Sequence, residues 1–477
     1  MDSSRRVFLS TGAAAVSSLI PMPLSQCLGT TAGAITPEQF GARGDGISDD
    51  TAALARLSQF VNSRGGGEVV FRRATYLVGR QTSSRGRLET YGFDPAAVME
   101  FVGCRFPLTI RGNGARVRCA SGLKYGTFDP VTGLPTQRVL PNYDWREIAS
   151  PYRWMVKVEN CSGPVEIVDL ELDGNLGGLE VGGPWGDVGR QLPASGLGLY
   201  NNSGPERVAN LHTHHHALDG IIIDGLDRTR SARSLLAGVR SEYNGRQGCS
   251  IVGGNRYDFR NCHFNHTGRA GLASPPSAGV DIEAEGKRVR DLTFVNCEFV
   301  DNQGVGLLAD QGDSEQASFS GCTFVGAFSW SAWPMKPRFQ FNGCRFVGPI
   351  TNCFGDPRAP VRATRFLECS FVDDRSLSPS GEVFLGQNPS GPIADLPHQP
   401  NVTFSQCMFQ LTGRHVLPWT TNVVTFADCT MSQRSTATSY PRGTYVGRNR
   451  IAGNVDLYSA INRGHLSVNG VDIPRSG

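Results

Sequence analysis

Four acidic residues have a spacing that could bring their carboxylates together. Asp281 and Glu283 are two positions apart, so in a β-strand both side chains point to the same side, about 6.5–7 Å from each other. Asp224 and Asp310 occupy the same place as Glu283 in two other segments of similar sequence. Paired carboxylates can hydrolyse glycosidic bonds, one as general acid and the other as base or nucleophile. Crowding would raise the pKa of one of them, as a general acid requires. The spacings leave retention and inversion open and lean toward inversion.

The segments that must position these carboxylates form a repeat. Five of them begin with glycine and continue with alternating apolar residues: 196–200, 220–224, 248–252, 279–283 and 306–310. Their glycines are 24, 28, 31 and 27 residues apart, which is typical of a solenoid. The first and third residues after each glycine are predicted to point inward, and the second and fourth outward.

The outward fourth positions would form a ladder with rungs about 4.8 Å apart. They are Tyr200, Asp224, Val252, Glu283 and Asp310. Because like charges at that distance repel each other, folding alone does not favour such a ladder. We therefore interpret this face as the functional site. The alternative is that Asp281 and Glu283 only accept hydrogen bonds from turn amides and from Arg246.

Several neighbouring side chains could bind a substrate. Arg246 could hold a substrate carboxylate through two hydrogen bonds or balance the charge of the acidic cluster. Asp219 directly precedes the second repeat, and His214 and His216 are expected to flank a turn close to the carboxylates, exposed or in contact with sugar. Three adjacent histidines could also bind a metal ion, although we expect none here. Loop tryptophans could stack on sugar rings: Trp145, Trp154 and Trp185.

Seven of the 13 cysteines recur in one frame, each two residues before a phenylalanine or, in the last case, a methionine. They are Cys262, Cys297, Cys322, Cys344, Cys369, Cys407 and Cys429. One cysteine per coil predicts an interior stack of reduced, inert thiols beside stacked phenylalanine rings. The paired spacing of a zinc site is missing, and a ladder of this kind does not favour disulfides.

Composition restricts the class of partner. The chain has 477 residues, a net charge of +3, 58 glycines and only 19% charged residues, as in a turn-rich β protein. No basic stripe with interleaved aromatic residues is present, which argues against nucleic acid as a partner. No run of about 20 apolar residues is present, so we expect no membrane span after signal removal.

The first 34 residues resemble a twin-arginine export signal. Arg5 and Arg6 precede a short apolar run and small residues that suit cleavage. This predicts a periplasmic or secreted protein with a mature domain of residues 35–477.

Residues 40–54 then contain Phe-Gly-Ala-Arg-Gly-Asp-Gly, followed by Asp-Asp-Thr-Ala-Ala-Leu. Asp49 or Asp50 could cap a helix with Leu54, Leu57 and Val61 on its apolar side. With the following Gly-Gly-Gly and a strand ending Thr-Tyr-Leu, this stretch resembles the opening of the pectate-lyase-like superfamily. The resemblance implies an all-β, single right-handed parallel β-helix with an N-terminal capping helix.

The same resemblance implies a cap over 35–80, while the glycine and cysteine repeats predict coils over about 100–431, followed by an irregular tail over 432–477. It also implies that Asp45, Asp49 and Asp50 are structural. Arg-Gln-Gly at 246–248 and Ala-Gly-Val-Asp-Ile-Glu at 278–283 resemble a pair of strands in bacterial β-helix proteins that act on polysaccharides.

Together, the carboxylates and the resemblance predict an exported enzyme that cleaves a charged polysaccharide, with a glycoside hydrolase favoured and no cofactor required. The first alternative is a polysaccharide lyase, with Arg246, His214, His216 or Tyr200 as the base and with bound calcium compatible. The second is a non-catalytic carbohydrate-binding or structural β-helix.

The Asn-Thr-Asp and Gly-His-Gly signatures of polygalacturonases and the Asp-Pro-His-Glu signature of alginate epimerases are absent. The sugar and the oligomeric state stay open.

Overall fold

The computed structural model describes residues 33–79, 81, 97–136, 147–186, 188–228 and 233–476. Nearly all of the predicted export signal, residues 1–32, and Trp145 lie outside the described residues. Residues 34–477 form one compact unit. Among the described residues, no helix has the length and apolar character needed to cross a membrane.

The chain winds as a parallel β-helix whose coils each contribute strands to three faces, which we number in the order in which the chain visits them. The first face, called the carboxylate face below, consists of β4 (Met99–Val102), β8 (Trp154–Glu159), β11 (Ser195–Tyr200), β14 (Asp219–Asp224), the start of β17 (Gln247–Arg260), β19 (Ala278–Ile282), β22 (Leu307–Ala309), β25 (Ala332–Pro334), β28 (Ile350–Thr351), β31 (Ala394–Leu396) and β34 (Trp419–Thr420).

The second face consists of β2 (Gly67–Val70), the first parts of β5 (Leu108–Cys119) and β9 (Val165–Asp173), β12 (Glu206–Ala209), β15 (Ser234–Ala237), the end of β17, β20 (Arg288–Val295), β23 (Asp313–Ser320), β26 (Phe339–Asn342), β29 (Arg365–Leu367), β32 (Thr403–Ser405), β35 (Thr425–Ala427), β37 (Thr444–Val446) and β39 (Ile461–Asn462).

The third face consists of β1 (Asp45–Asp49), β3 (Thr75–Val78), the last parts of β5 and β9, β13 (His212–His214), β16 (Arg240–Glu242), β18 (His263–Asn265), β21 (Glu298–Val300), β24 (Thr323–Val325), β27 (Arg345–Val347), β30 (Ser370–Val372), β33 (Met408–Leu411), β36 (Thr430–Gln433), β38 (Arg448–Ala452), β40 (His465–Val468) and the antiparallel β41 (Val471–Ile473). A small separate sheet contains β6 (Lys124–Thr127), β7 (Ile148–Ala149) and β10 (Glu180–Val181).

The glycine repeat predicted the register of the carboxylate face correctly. Leu197 lies opposite Ile221, Ile221 opposite Cys249, Cys249 opposite Val280, and Val280 opposite Leu307. These side chains are fully buried, as the alternation predicted. The face then continues through Ala332 and Ile350. The glycine repeat did not predict these later strands, because Ser331 and Pro349 stand where earlier coils have glycine.

The interior contains the predicted cysteine stack. The seven cysteines contact one another in chain order from Cys262 to Cys429, and they are buried and free, as are the other described cysteines. Two phenylalanine stacks flank them, one more than predicted. One runs from Phe264 to Phe409 and the other from Phe259 to Phe426, with adjacent rings 4.4–5.8 Å apart.

The residue before each of these seven cysteines forms a turn between two strands. Asn261, Asn296, Gln406 and Asp428 adopt a left-handed backbone conformation, with φ between 52° and 56°. Asparagine, aspartate and glycine tolerate this conformation better than most residues, and they occupy most of these positions. Each turn therefore bends the chain from the second face to the third at the same place in every coil.

The N-terminal cap is as predicted. Helix α1 (Thr51–Arg64) buries Leu54, Leu57 and Val61 against the end of the core. Asp50 is the N-cap residue, but its carboxylate accepts hydrogen bonds from the backbone N–H groups of Arg43 (2.7 Å) and Gly44 (3.0 Å) rather than from the helix.

The other two acidic residues of this opening also have structural contacts. Asp49 accepts a hydrogen bond from Thr51 N at 2.9 Å, and Asp45 accepts one from Ser48 N at 2.7 Å. These bonds hold the turn from which α1 starts, consistent with the structural role that the resemblance implied.

The C-terminal prediction was wrong in part. Instead of an irregular tail after residue 431, the third face continues through β38 and β40, so that parallel pairing extends to Val468. The core continues with it, since Tyr445 stacks on Phe426 and Leu466 is buried. The sequence signal ended earlier because these coils lack the cysteine frame.

Candidate active site

A buried ion pair anchors the centre of the carboxylate face. Asp219, fully buried at the start of β14, accepts a hydrogen bond from Arg246 Nε at 2.7 Å and a second from the same guanidinium. Ser250 Oγ donates to Asp219 at 3.1 Å. Against the effect of burial, the pairing with Asp219 raises the pKa of Arg246. Of the two roles predicted for Arg246, the structure thus favours charge balance over binding of a substrate carboxylate.

Asp281 lies next to this pair in an unusual environment. Asp281 lies opposite Ser250 of the preceding coil and Leu308 of the following coil, and only 3% of the residue is exposed. Gln247 Nε2 donates to Asp281 Oδ2 at 2.6 Å, while Asp281 Oδ1 has no hydrogen-bond partner among the described residues.

Burial, reinforced by the negative charge of Glu283, raises the pKa of Asp281 well above its ordinary value, and the positive charge of Arg246 opposes this shift. Asp310 and Asp219 add smaller effects in the same direction as Glu283. The environment of Asp281 therefore favours the protonated carboxyl group, which can act as a proton donor.

Glu283 and Asp310 follow the ends of adjacent strands, β19 and β22, and both are partly exposed. Lys336, on the next coil, donates from Nζ to the backbone oxygen of Gly312 at 2.8 Å. Burial lowers the pKa of Lys336, while Asp310, Asp313 and Glu283 oppose that shift. The structure thus brings together a buried carboxyl group, two partly exposed acidic side chains and an amine.

Asp224 is separate from this cluster. The register between β14 and β17 shifts after Ile223, so that Asp224 lies opposite Gly253 instead of Val252. Its carboxylate forms an ion pair with Lys287 Nζ at 2.6 Å, and Lys287 also donates to Asn201. Of the four predicted carboxylates, two lie near Asp281 and the remaining one, Asp224, is held in an ion pair.

Tyr200 and Trp154 lie at the other end of the face. Their rings meet edge-on with centroids 5.6 Å apart, and Lys157 Nζ lies 5.2 Å from the Trp154 ring. Burial, with the charges of Asp224 and Asp219, raises the pKa of Tyr200. Such a tyrosine is a poor candidate for a base.

The prediction for His216 was wrong. This side chain is fully buried, hydrogen-bonded through Nδ1 to the hydroxyl of Tyr152 at 2.8 Å and through Nε2 to the backbone oxygen of Leu172 at 3.2 Å. Burial lowers its pKa well below the ordinary value. The left-handed conformation of His215, with φ of 55°, turns the chain so that His216 points into the core.

His214 lies on the third face, in a group that we call the histidine face: Arg116, Arg118, Glu171, Asp173, His212, His214, Arg240 and Glu242. Its Nε2 is 3.0 Å from Glu171 Oε1. His214 does precede the turn that leads to Asp219, as predicted, but its contacts are on the histidine face rather than with the carboxylates around Asp281.

Glu171, His212 and His214 each offer one ligand atom within 4.8 Å of the others, a donor set that can hold a divalent cation. However, Glu171 pairs with Arg116 at 2.7 Å, and the nearby Asp173 pairs with Arg118 at 2.9 Å. A cation at this set would have to displace an arginine from Glu171.

Trp185 is partly buried and packs against the core. Its loop is fastened to the coil that precedes β19, since the N–H of Arg190 donates to Ser274 Oγ at 2.9 Å. The loop therefore lies beside the carboxylate face, but no described contact links Trp185 to the group around Asp281.

Sequence reasoning missed Gln247, Ser250 and Lys336. Gln247 and Ser250 belong to the same repeat segment as Arg246, and the outward position of Ser250, two after Gly248, was readable from the alternation. The position of Lys336 near the site could not be predicted, because the strand before it lacks the glycine of the repeat.

Comparison with known proteins agrees with this fold. Residues 194–335 match the family model described as a right handed beta helix region, which confirms the predicted handedness. A stretch of 60 residues is 43% identical to the capsule KN3-specific Depolymerase 1 of Klebsiella phage KN3-1, covering 11% of this chain and 8% of that protein. The chain thus spans only a small part of that relative.

Among solved structures, the A-module of mannuronan C-5 epimerase AlgE4 from Azotobacter vinelandii is 15% identical, with a TM-score of 0.41, over 93% of this chain and 100% of that one. The tailspike protein gp49 of Acinetobacter baumannii bacteriophage Fri1, a capsular polysaccharide depolymerase, is 13% identical, with a TM-score of 0.45, over 91% and 65%. The N-terminal fragment of bacteriophage Phi29 gene product 12 is 13% identical, with a TM-score of 0.48, over 92% and 71%.

Proposed function

We propose that this right-handed parallel β-helix protein is an exported enzyme that hydrolyses a charged polysaccharide on its carboxylate face. The observation that carries the proposal is the environment of Asp281, a buried carboxyl group with a raised pKa, one of whose oxygens accepts no hydrogen bond from the described residues. A carboxyl group whose pKa is raised can keep its proton and donate it to the leaving oxygen of a glycosidic bond.

Glu283 and Asp310 are the candidates for the second carboxylate. Glu283 directly follows the end of β19, Asp310 directly follows the end of β22 in the next coil, and the charges of both act on Asp281. One of them would activate water or attack the sugar while Asp281 protonates the departing oxygen. Gln247 would fix the orientation of Asp281 through its hydrogen bond to Oδ2.

The groups first considered as bases for a lyase are engaged elsewhere. Arg246 is paired with Asp219, His216 is inside the core, and the pKa of Tyr200 is raised. These contacts favour hydrolysis over elimination by those residues.

One observation favours elimination as a second candidate function. Lys336 is an amine of lowered pKa beside Glu283 and Asp310, and a neutral amine could abstract a proton next to a uronate carboxylate. In that case Asp281 would protonate the leaving oxygen in the same way, so the two reactions differ only in the partner of Asp281.

The test is a screen of acidic and neutral polysaccharides, with new reducing ends and ultraviolet absorbance measured on each digest. Hydrolysis predicts reducing ends without absorbance, whereas elimination predicts an unsaturated product that absorbs. If a lyase is found, Lys336→Gln should abolish its activity. If no polysaccharide in the panel is cleaved, the enzymatic proposal is contradicted.

A further inference from the structure

The outward column of the carboxylate face that contains Asp281 extends well beyond the candidate active site. Asp281 lies opposite Leu308, and Leu308 lies opposite Trp333. The pairing of Ala332 with Ile350 places Thr351 on the following rung. Thr351 lies opposite Asp395, and Asp395 opposite Trp419. Trp419 is therefore five rungs from Asp281 in the same column, roughly 24 Å away at about 4.8 Å per rung.

Trp419 forms one side of a cleft. The other lining residues are Asn388, Ser390, Tyr440 and Arg442. Trp419 is 37% exposed, which is unusual for a side chain of this size in a strand. Asn388 and Ser390 belong to the loop between β30 and β31, so that loop forms the opposite wall.

Arg442 supplies the charge of the cleft. Its guanidinium lies 4.8 Å from the centroid of the Tyr440 ring and forms an ion pair with Asp456. Its Nε is buried and has no hydrogen-bond partner among the described residues. The Arg442 side chain is 28% exposed, so a ligand carboxylate in the cleft could share its guanidinium with Asp456.

We propose that this cleft, called the distal cleft below, binds a carboxylate-bearing sugar unit of the same polysaccharide chain that is cleaved at Asp281. This inference rests on the proposed function in that both sites take one polymer. The face of Trp419 stacks on the C–H groups of a sugar ring, Arg442 binds its carboxylate, and Asn388 and Ser390 are positioned for its hydroxyl groups.

An acidic chain that runs along the β-helix axis would pass over Trp333 and Asp395, which are partly exposed, while Leu308 and Thr351 of the same column are buried. Trp333, two rungs from Asp281, packs with Trp330 against Leu308 and forms an apolar surface on this path. Asp395, one rung before Trp419, would repel an acidic chain if it were ionised. Burial raises its pKa, which reduces that repulsion.

The test is gel electrophoresis of the full chain with polygalacturonate, alginate or neutral dextran cast into the gel. Wild-type protein should be retarded by an acidic polymer and not by dextran. Trp419→Ala and Arg442→Gln should each weaken the apparent affinity about three- to tenfold, as expected for the loss of one stacking or charge-assisted contact. Phe106→Ala is the matched control, since Phe106 is an exposed aromatic residue remote from the column, and it should bind as wild type does.

Two variants are used because Trp419 is partly buried and its loss could affect folding; thermal unfolding of both is measured alongside. The inference is overturned if neither acidic polymer retards the wild-type protein, or if Arg442→Gln is folded and retarded as strongly as wild type. Retardation that depends on Arg442, without cleavage of either polymer, would leave the distal cleft in place while the proposed hydrolysis fails. If a folded Arg442→Gln variant still cleaves the polymer and binds it with unchanged affinity, the proposed hydrolysis stands and the distal cleft is ruled out.

Discussion

The carboxylate face and the histidine face both place acidic residues and arginines on neighbouring rungs, yet Asp281 on the first face and Glu171 on the second have pKa values shifted in opposite directions. On the histidine face, hydrogen bonds from His214 and Arg116 overcome the effect of burial and lower the pKa of Glu171 to about 2. On the carboxylate face, Asp281 receives only the amide of Gln247, and its pKa is raised.

The difference comes from where the arginines point. Arg240 reaches Glu242 at 2.7 Å on the histidine face, whereas Arg246 on the carboxylate face is committed to Asp219 rather than to Asp281. Acidic residues on adjacent rungs are therefore not evidence of a reactive site by themselves. A buried acid that the neighbouring cation leaves unpaired is better evidence, because its charged form is disfavoured.

The largest expected effect concerns catalysis on the carboxylate face. With an active substrate, Asp281→Asn and Glu283→Gln should each lower kcat by about 100-fold or more, the scale of one general acid or base. Glu171→Gln on the histidine face should change kcat less than about threefold. Steady-state kinetics of the three folded variants measure this contrast. Full activity of both carboxylate-face variants would show that the site is elsewhere.

The fold was largely predictable because the relevant signals are local and repeated. Glycine spacing and strand alternation determine which side chains face inward, and Leu197, Ile221 and Val280 are buried as expected. The glycine signal ended where other residues take the place of glycine, as Ser331 does, so the carboxylate-face strand before Lys336 was missed although its coil was predicted.

The candidate site was predictable only in part. Alternation identified the outward position of Asp281, but its burial depends on packing by residues from the next coils, including Leu308 and Trp333, which spacing does not reveal. The inward turn of His216 depends on a single left-handed residue, His215, which is not a typical residue for that conformation.

The second largest effect concerns stability. Asp219→Ala would leave the guanidinium of Arg246 nearly buried without its partner, and we expect a loss of about 3–5 kcal/mol of unfolding free energy. Glu166→Ala is the matched control, since its ion pair with Arg207 is exposed and should contribute less than about 1 kcal/mol. Urea unfolding measures both values. Equal losses in the two variants would show that the Asp219 pair is not a special anchor of this face.

A smaller effect is the pH dependence of the unfolding free energy, which should have opposite signs for Glu242 on the histidine face and Asp281 on the carboxylate face. Against the effect of burial, His212 and Arg240 lower the pKa of Glu242 from 4.5 to about 2. This contribution to stability is complete above about pH 4.5 and is lost as the pH falls toward 2. Glu242→Gln should therefore remove about 1 kcal/mol near pH 6 and little near pH 2.

Asp281→Asn should act in the opposite sense. The raised pKa of Asp281 means that its contribution is present at low pH and is lost as the pH rises, so the amide should stabilise the protein most at alkaline pH. Unfolding curves across the pH range compare the two variants. A parallel response of Glu242→Gln and Asp281→Asn would remove the distinction between the faces.

The smallest expected effect concerns the cysteines of the interior that both faces share, which should not react in the native protein. Burial raises the pKa of Cys249, and the stacked thiols from Cys262 to Cys429 are closed to solvent. Alkylating reagent should leave them unmodified until denaturant is added. Rapid labelling of the native protein, detected by mass spectrometry, would contradict this packing.

The most direct test of the central claim is the protonation state of Asp281 itself, which needs no substrate. Infrared difference spectra between the wild-type protein and Asp281→Asn isolate the carboxyl band of this residue. Our account predicts that this carboxyl group is still protonated at a pH at which the exposed aspartates are ionised, because burial raises its pKa. If instead Asp281 is ionised at that pH and titrates near pH 4 with the exposed aspartates, it is not the general acid and the proposed mechanism is contradicted.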